Sequence, residues 1–153
     1  MSRDDHDHSA GGRLLSVSNA AVGGLIRLGA APRACRELLV RGRRSGRLTA
    51  RPVNVLAVDG RRYLVSPRGS TQWVRNVRAG GEVFLRRGRR VDPVDLIELD
   101  DEQKPDLLRA YLDRWGWQVS AFVDGLTASS TDAEFAAAAP RFPVFECAPR
   151  HRP

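Results

Sequence analysis

Lysine, histidine and long apolar runs are all scarce in this chain of 153 residues. Its 25 basic residues include one lysine, Lys104, so arginine carries nearly all of the positive charge. The histidines are His6, His8 and His151, close to the two ends of the chain, which excludes a histidine base in the interior and a hydrolase triad with it. No apolar run approaches the roughly 18 residues that a membrane span requires.

Two cysteines, Cys35 and Cys147, are too few for a disulfide framework, and we expect reduced thiols in a cytoplasmic protein. The spacing of cysteine and histidine fits no zinc site, and His6 and His8 beside Asp7 offer too few ligands to hold a metal. Neither a P-loop nor a dinucleotide-binding glycine motif is present. If the protein is an enzyme, we therefore expect a cofactor to carry the reaction.

The positive charge is concentrated in the middle of the chain. Residues 41–90 contain 14 arginines and only two acidic residues, Asp59 and Glu82, so they carry a net charge of +12. The whole chain carries +7, which leaves −5 for the remainder. A charge divided in this way indicates an anionic partner for one region. Nucleic acid, a phosphorylated cofactor and an acidic membrane surface are all open at this point.

Hydrophobic periodicity predicts a mainly β (α+β) fold, a small antiparallel barrel with peripheral helices. Asp59-Gly60 is a hairpin signal between two of the predicted strands. Residues 1–13 are expected to form a disordered tail, and residues 14–150 a single domain. Residues 16–31 predict a helix that packs on the domain or contacts a membrane surface. The six expected strands are 36–41, 51–59, 61–66, 82–87, 89–99 and 143–148, and the other expected helices are 71–79, 101–115 and 133–138.

Four motifs in the basic segment resemble those of one family. They are the turn Gly42-Arg43-Arg44-Ser45-Gly46, then Pro52, then Arg68-Gly69, and the run Trp73-x-x-Asn76-Val77-Arg78-Ala79. With them the chain resembles the deazaflavin-dependent nitroreductases, which are split β-barrels related to pyridoxamine-phosphate oxidases and flavin reductases. The resemblance implies a six-stranded antiparallel split β-barrel that binds coenzyme F-420, an 8-hydroxy-5-deazaflavin with a phosphodiester and an oligoglutamate tail. FMN is the second candidate.

The resemblance also implies roles for individual residues. The first basic turn would hold the phosphate and the tail, Pro52 would line the ring, and Arg68 would lie near the ring and the phosphate. Trp73 and Asn76 would close the pocket. Planar guanidinium groups suit phosphate and carboxylate oxygens, and glycine lets backbone N–H groups approach an anion. The implied cofactor-binding residues are Arg43, Arg44, Ser45, Arg51, Pro52, Ser66, Arg68, Gly69, Trp73 and Asn76.

The chain departs from one branch of the family around Pro52. Thr49 stands where that branch has arginine, and Arg51 offers a partial replacement. Asn54 stands where the branch has a tyrosine implicated in substrate reduction, and Pro67 where it has serine. Cofactor binding therefore carries over better than substrate chemistry, and the sequence assigns no catalytic residue.

The resulting hypothesis is a cytoplasmic oxidoreductase that transfers hydride to a quinone, an enone or a nitroaromatic. Its partner would be this small acceptor and not nucleic acid, and the protein would be a monomer or homodimer. One alternative is a non-catalytic barrel that holds a flavin or deazaflavin. Another is a nucleic-acid-binding module, which needs exposed aromatic residues between the basic ones; the segment offers Tyr63, Trp73 and Phe84.

Overall fold

The computed structural model describes residues 34–150, which form seven strands in one curled antiparallel sheet and three α-helices. The expected tail 1–13 with His6 and His8, and the expected helix 16–31, lie outside the described residues. The strands are β1 (Cys35–Arg41), β2 (Leu48–Asn54), β3 (Leu56–Val58), β4 (Arg61–Val65), β5 (Val83–Arg87), β6 (Arg90–Glu98) and β7 (Val144–Pro149), and the helices are α1 (Gln72–Arg78), α2 (Pro105–Val119) and α3 (Asp132–Ala138).

The seventh strand arises because the expected strand 51–59 is two strands. β2 ends at Asn54 and pairs with β1, whereas β3 begins at Leu56 and pairs with β4. Between them the backbone N–H of Val55 donates to the carbonyl of Ala34 at 2.8 Å. The expected pairing of 51–59 with 61–66 is therefore correct only for Leu56–Val58. The apolar alternation runs through the break without interruption, so the sequence pattern gives no sign of it.

The order of the strands explains the curl of the sheet. It is β2-β1-β5-β6-β7-β4-β3, so that β2 and β3 form its two edges. These edge strands are joined by Val55 alone, and one residue can span only a few ångströms. The sheet must therefore bend until its edges meet, which confirms the predicted split barrel. Pro52 lies in the edge strand β2, where its missing N–H leaves no gap in a ladder.

The helices follow the sequence with small shifts at their ends. α2 starts at Pro105 after a short 3₁₀ turn, Asp101–Gln103, whose capping box is formed by Asp100 and Gln103. It continues to Val119, four residues beyond the expected end, because Val119 packs into the apolar core. α3 is capped by Thr131, whose side-chain oxygen accepts from the N–H of Glu134.

Two apolar clusters fill the fold. One lies inside the barrel, where Trp73 and Val74 of α1 pack with Leu38, Leu85 and Phe145. The other joins α2 and α3 to β3, β4 and β7. No helix among residues 34–150 is long and apolar enough to cross a membrane.

Candidate functional site

A cavity of about 650 Å³ lies beside the edge strand β2. This volume is in the ordinary range for small-molecule sites, roughly 300–1,000 Å³. One wall is β2, and the opposite wall is the end of β4 with the loop that leads to α1. The end of α2 and the turn after it form the third side. The lining residues are Cys35, 51–54, 65–68, Thr71, Trp73, Tyr111, 117–119 and Phe122.

The charge of this cavity has one sign. Arg51 and Arg68 both line it, and none of its lining residues is acidic. Burial lowers the pKa of Arg51, and the nearby positive charge of Arg68 lowers it further. Neither arginine forms an ion pair with another residue of the described range 34–150. Two neighbouring cations without a carboxylate are the arrangement that a bound phosphate or carboxylate would stabilise.

The loop after β4 is fixed by its own backbone. The hydroxyl of the buried Ser66 donates to the carbonyl of Gly69 at 2.6 Å, and the N–H of Thr71 donates to the same carbonyl at 2.9 Å. Gly69 has φ +82°, which a side chain would strain. Within the described residues, Oγ1 of Thr71 is buried without a hydrogen-bond partner, and Thr71 lines the cavity. An unpaired hydroxyl in such a wall fits a polar ligand group.

Helix α1 connects this loop to the basic turn between β1 and β2. Oδ1 of the buried Asn76 accepts from the backbone N–H of Arg43 at 3.2 Å and from its guanidinium at 2.8 Å. The guanidinium also donates to Oε1 of Gln72 at 3.0 Å. Gly81 lets the end of the helix lie against β1, since a Cβ there would come within 2.6 Å of the carbonyl of Arg41. The turn and the cavity therefore stand along one short helix, about 10 Å long.

The structure brings five of the ten predicted residues to the cavity, namely Arg51, Pro52, Ser66, Arg68 and Trp73. Gly69 shapes the loop beside it. The other four belong to the turn and its anchor: Arg43, Arg44 and Ser45 are exposed, and Asn76 holds Arg43 rather than lining the cavity. The cavity and the turn are thus two separate parts of one candidate site.

The sequence prediction missed the third side of the cavity, formed by Tyr111, Trp117, Gln118 and Phe122. The sequence predicts no helix or strand between the expected helices 101–115 and 133–138, and Gly116 discourages a helix there. One signal was available: Trp117 falls outside the apolar stripe of α2, and it is 78% exposed. Together with Phe122, which is 38% exposed, it forms an exposed aromatic pair beside the cavity, and neighbouring exposed apolar residues mark binding surfaces more often than single ones do.

Two titratable groups in the wall stay neutral. Burial raises the pKa of Tyr111 to about 12, so its hydroxyl remains protonated at neutral pH. Burial also raises the pKa of the Cys35 thiol, although the charges of Arg87 and Arg36 act in the opposite direction. Neither group is a nucleophile or a base at neutral pH.

Two of the three aromatic residues of the basic segment, Tyr63 and Trp73, are not exposed for stacking on nucleic-acid bases. Tyr63 and Trp73 are 9% and 5% exposed, and the ring of Trp73 packs against Phe145 at 5.5 Å between centroids. A single-strand platform requires exposed rings between the basic side chains. Of the alternatives left open by the charge, the structure therefore favours a small anionic ligand.

Comparison with known proteins points in the same direction. The model of the F-420H(2)-dependent quinone reductase family matches residues 16–121, over two thirds of the chain. A solved structure described as a domain-swapped dimer is 16% identical with a TM-score of 0.52, and the match covers 90% of this chain and 96% of that one. A protein of unknown function from Agrobacterium tumefaciens is 12% identical with a TM-score of 0.57, over 86% of this chain and 55% of its own.

A solved F-420-H2-dependent reductase is 20% identical with a TM-score of 0.49, over 75% of this chain and 94% of its own. At these identities the likeness to the domain-swapped dimer and to the Agrobacterium protein is one of fold. None of the curated protein sequences is significantly similar to this chain.

Proposed function

Since this chain belongs to the F-420H(2)-dependent quinone reductase family, we propose that it uses reduced coenzyme F-420 to reduce a small organic acceptor. The acceptor class we propose is a quinone, with enones and nitroaromatics as the related alternatives. The observation that carries the proposal is the cavity at the closure of the barrel, which has two arginines, no acidic lining residue and apolar and aromatic walls.

The residues present fit this coenzyme. Its phosphodiester requires cations, which Arg51 and Arg68 supply, and a hydroxyl donor, which Thr71 can provide from its unpaired Oγ1. Its flat ring system requires apolar walls, and Pro52 and Trp73 line the cavity. When bound in reduced form, the coenzyme supplies a hydride from C5 of the deazaflavin ring.

The basic turn would hold the tail. Arg43, Arg44 and Ser45 lie in a turn that Asn76 fixes to α1, and α1 begins beside the cavity. A chain of carboxylates that leaves the cavity along this helix would meet these side chains. Because the side chain of Arg44 is exposed and forms no hydrogen bond or ion pair with another residue of the described range 34–150, its charge is available to such a tail.

The protein's own contribution to the reaction would be to bind, orient and exclude water. The phenol of Tyr111 keeps its proton and can only act as a neutral hydrogen-bonding group in the wall. The described lining residues include no aspartate, glutamate or histidine, so we assign the proton that completes the reduction to solvent.

A titration tests the proposal. We expect coenzyme F-420 to quench the fluorescence of the native protein, because Trp73 and Trp117 line the cavity. Arg51→Ala and Arg68→Ala should each weaken binding by about tenfold or more, the loss of one charge-assisted hydrogen bond. Arg75→Ala is the matched control, an exposed arginine on α1 that does not line the cavity. It should change the dissociation constant by less than about threefold.

The titration and an assay of coenzyme oxidation together separate the alternatives. Tighter binding of FMN than of coenzyme F-420 would make the protein a flavoprotein. Tight coenzyme binding without oxidation of the reduced coenzyme by any quinone, enone or nitroaromatic would make it a carrier. Equal losses for Arg68→Ala and Arg75→Ala would indicate a diffuse basic surface and contradict the site. The expectation of a monomer or homodimer stays a prediction, which sedimentation of the native protein would test.

A further inference from the structure

The end of α2 presents one carboxamide to the cavity, with its oxygen hydrogen-bonded to the end of β2. Nδ2 of Asn54, the last residue of β2, donates to Oε1 of Gln118 at 2.9 Å, and both side chains line the cavity. Because the oxygen of the Gln118 carboxamide meets Asn54, its NH2 group is the end left for a ligand. Within residues 34–150, no other residue accepts a hydrogen bond from that group.

The surroundings of this carboxamide are flat and aromatic. Trp117 precedes it and is 78% exposed, and Phe122 is 38% exposed and packs against the guanidinium of Arg68 at 4.2 Å. Both rings line the cavity. A planar ligand with oxygen atoms on its edge would find a ring to lie against and a donor for one oxygen in the same cavity.

We propose, on the basis of the function proposed above, that Gln118 binds the acceptor. Its NH2 group donates to a carbonyl oxygen of a quinone that lies against Trp117. Asn54 is the positioning residue that keeps this NH2 group turned towards the ligand. The two amides therefore select an acceptor with a carbonyl oxygen.

The assignment has a chemical consequence. When a quinone takes a hydride, a pair of electrons enters its conjugated system and negative charge develops on an oxygen. One proton from solvent then completes the hydroquinone. A donor already placed at that oxygen stabilises the charge before the proton arrives.

The experiment compares two planar acceptors, menadione, which has two carbonyl oxygens, and methylene blue, which has none. In Gln118→Leu we expect kcat/KM for menadione to fall by about fivefold to tenfold, the value of one neutral hydrogen bond. For methylene blue it should change by less than about twofold, and so should the dissociation constant of the coenzyme. In coenzyme-free protein, menadione binding measured by calorimetry should weaken by a similar factor.

An isosteric variant separates a donor from mere packing. Gln118→Glu keeps the size of the side chain and an oxygen for Asn54, but replaces the NH2 group with a second oxygen. We expect its loss on menadione to be at least as large as that of Gln118→Leu. Full activity of Gln118→Glu on menadione would contradict the donor role.

The role of Asn54 is tested by combining variants. Asn54→Ala should raise KM for menadione by about twofold to threefold, because the carboxamide of Gln118 can then rotate. In the Gln118→Leu background the same change should have no further effect, since a positioning residue acts only through the group that it positions. Additive losses in the double variant would overturn this part of the proposal.

The results separate a failure of the proposed function from a failure of the assignment of Gln118. Native protein that binds no coenzyme and oxidises none with either acceptor overturns the proposed function. If the native protein reduces both acceptors and Gln118→Leu lowers kcat/KM equally for both, only the assignment of Gln118 is overturned. If Gln118→Leu raises the dissociation constant of the coenzyme by the same factor by which it lowers kcat/KM for menadione, Gln118 belongs to the coenzyme site. That result would also overturn the assignment.

Discussion

The arginines of this protein differ in what lies next to them. Arg51 and Arg68 line the same cavity, where the charge of Arg68 lowers the pKa of Arg51, and Arg43 is hydrogen-bonded to the buried Asn76. Other arginines form ion pairs with carboxylates, as Arg78 does with Glu98, where 2.7 Å separates the guanidinium nitrogen from the carboxylate oxygen. The number of arginines in the sequence therefore indicates an anionic partner, but only their surroundings separate binding groups from structural ones.

At the scale of the residue, the basic turn gives a direct prediction. Arg44→Ala should weaken the binding of coenzyme F-420 by about tenfold, the loss of a charge-assisted contact to the tail. Arg89→Ala, an exposed arginine in the β5–β6 hairpin, should change it by less than about threefold because its charge is screened. Titration of both variants with the intact coenzyme measures the difference.

A deazaflavin nucleoside without phosphodiester and tail is the control ligand. Arg44→Ala should bind it as well as native protein does, because the tail that Arg44 would hold is absent. Equal effects of Arg44→Ala and Arg89→Ala on the intact coenzyme would indicate that the turn does not hold the tail.

At the residue scale, the sequence predicted only some of the residues that line the cavity. The family resemblance implied Arg51, Pro52, Ser66, Arg68 and Trp73, all of which line the cavity. It could not lead to Gln118 or Phe122, because these residues come from a different part of the chain and belong to no motif. Only the packing of α2 across the open side of the barrel brings them to the site.

At the scale of the element, β1 and β5 are held by two ion pairs of different burial. Glu37 and Arg86 face each other in the ladder, with 2% and 25% of their side chains exposed. Arg41 and Glu82 form the second pair at 3.1 Å, with 42% and 53% exposed. The same two segments of chain therefore provide a buried pair and an exposed pair for comparison.

We expect Glu37→Gln to lower the free energy of unfolding by about 3 kcal/mol, because it leaves the Arg86 guanidinium in a half-buried place without its carboxylate. Glu82→Gln should lower it by less than about 1 kcal/mol. Urea unfolding of the two variants tests this. The double variant Glu37→Leu with Arg86→Met should regain most of the free energy of unfolding that Glu37→Gln loses. A double variant less stable than Glu37→Gln would show that the ion pair stabilises the fold more than an apolar contact does.

The elements themselves were largely predictable. Hairpin signals and alternation placed β4, β5, β6 and β7 to within two residues, because turn residues and apolar periodicity are local properties. The break at Val55 was not predictable. The break arises because the strand before Val55 pairs with β1 and the strand after it pairs with β4. Which strands pair is a property of the whole sheet and not of the local sequence.

At the scale of the whole molecule, β7 joins the two halves of the sheet, since it pairs with β6 on one side and with β4 on the other. Phe145 of this strand is 1% exposed and packs against Trp73. Phe145→Ala should lower the free energy of unfolding by about 3–5 kcal/mol, the cost of a large cavity in a core. Ile97→Ala on the neighbouring strand, where the side chain is 52% exposed, should cost less than about 1 kcal/mol.

Calorimetry of both variants measures these costs. A small effect of Phe145→Ala would mean that the two halves are held together by other contacts.

The position of β7 also governs the order of events on the ribosome. Before residues 144–149 have been translated, β2-β1-β5-β6 and β4-β3 can each pair, but nothing links β6 to β4. About 50 residues separate the end of β6 from the end of β7, which takes several seconds at roughly 5–20 residues per second. During that time the nascent chain exposes two unpaired strand edges, which are the surfaces that chaperones must shield from neighbouring chains.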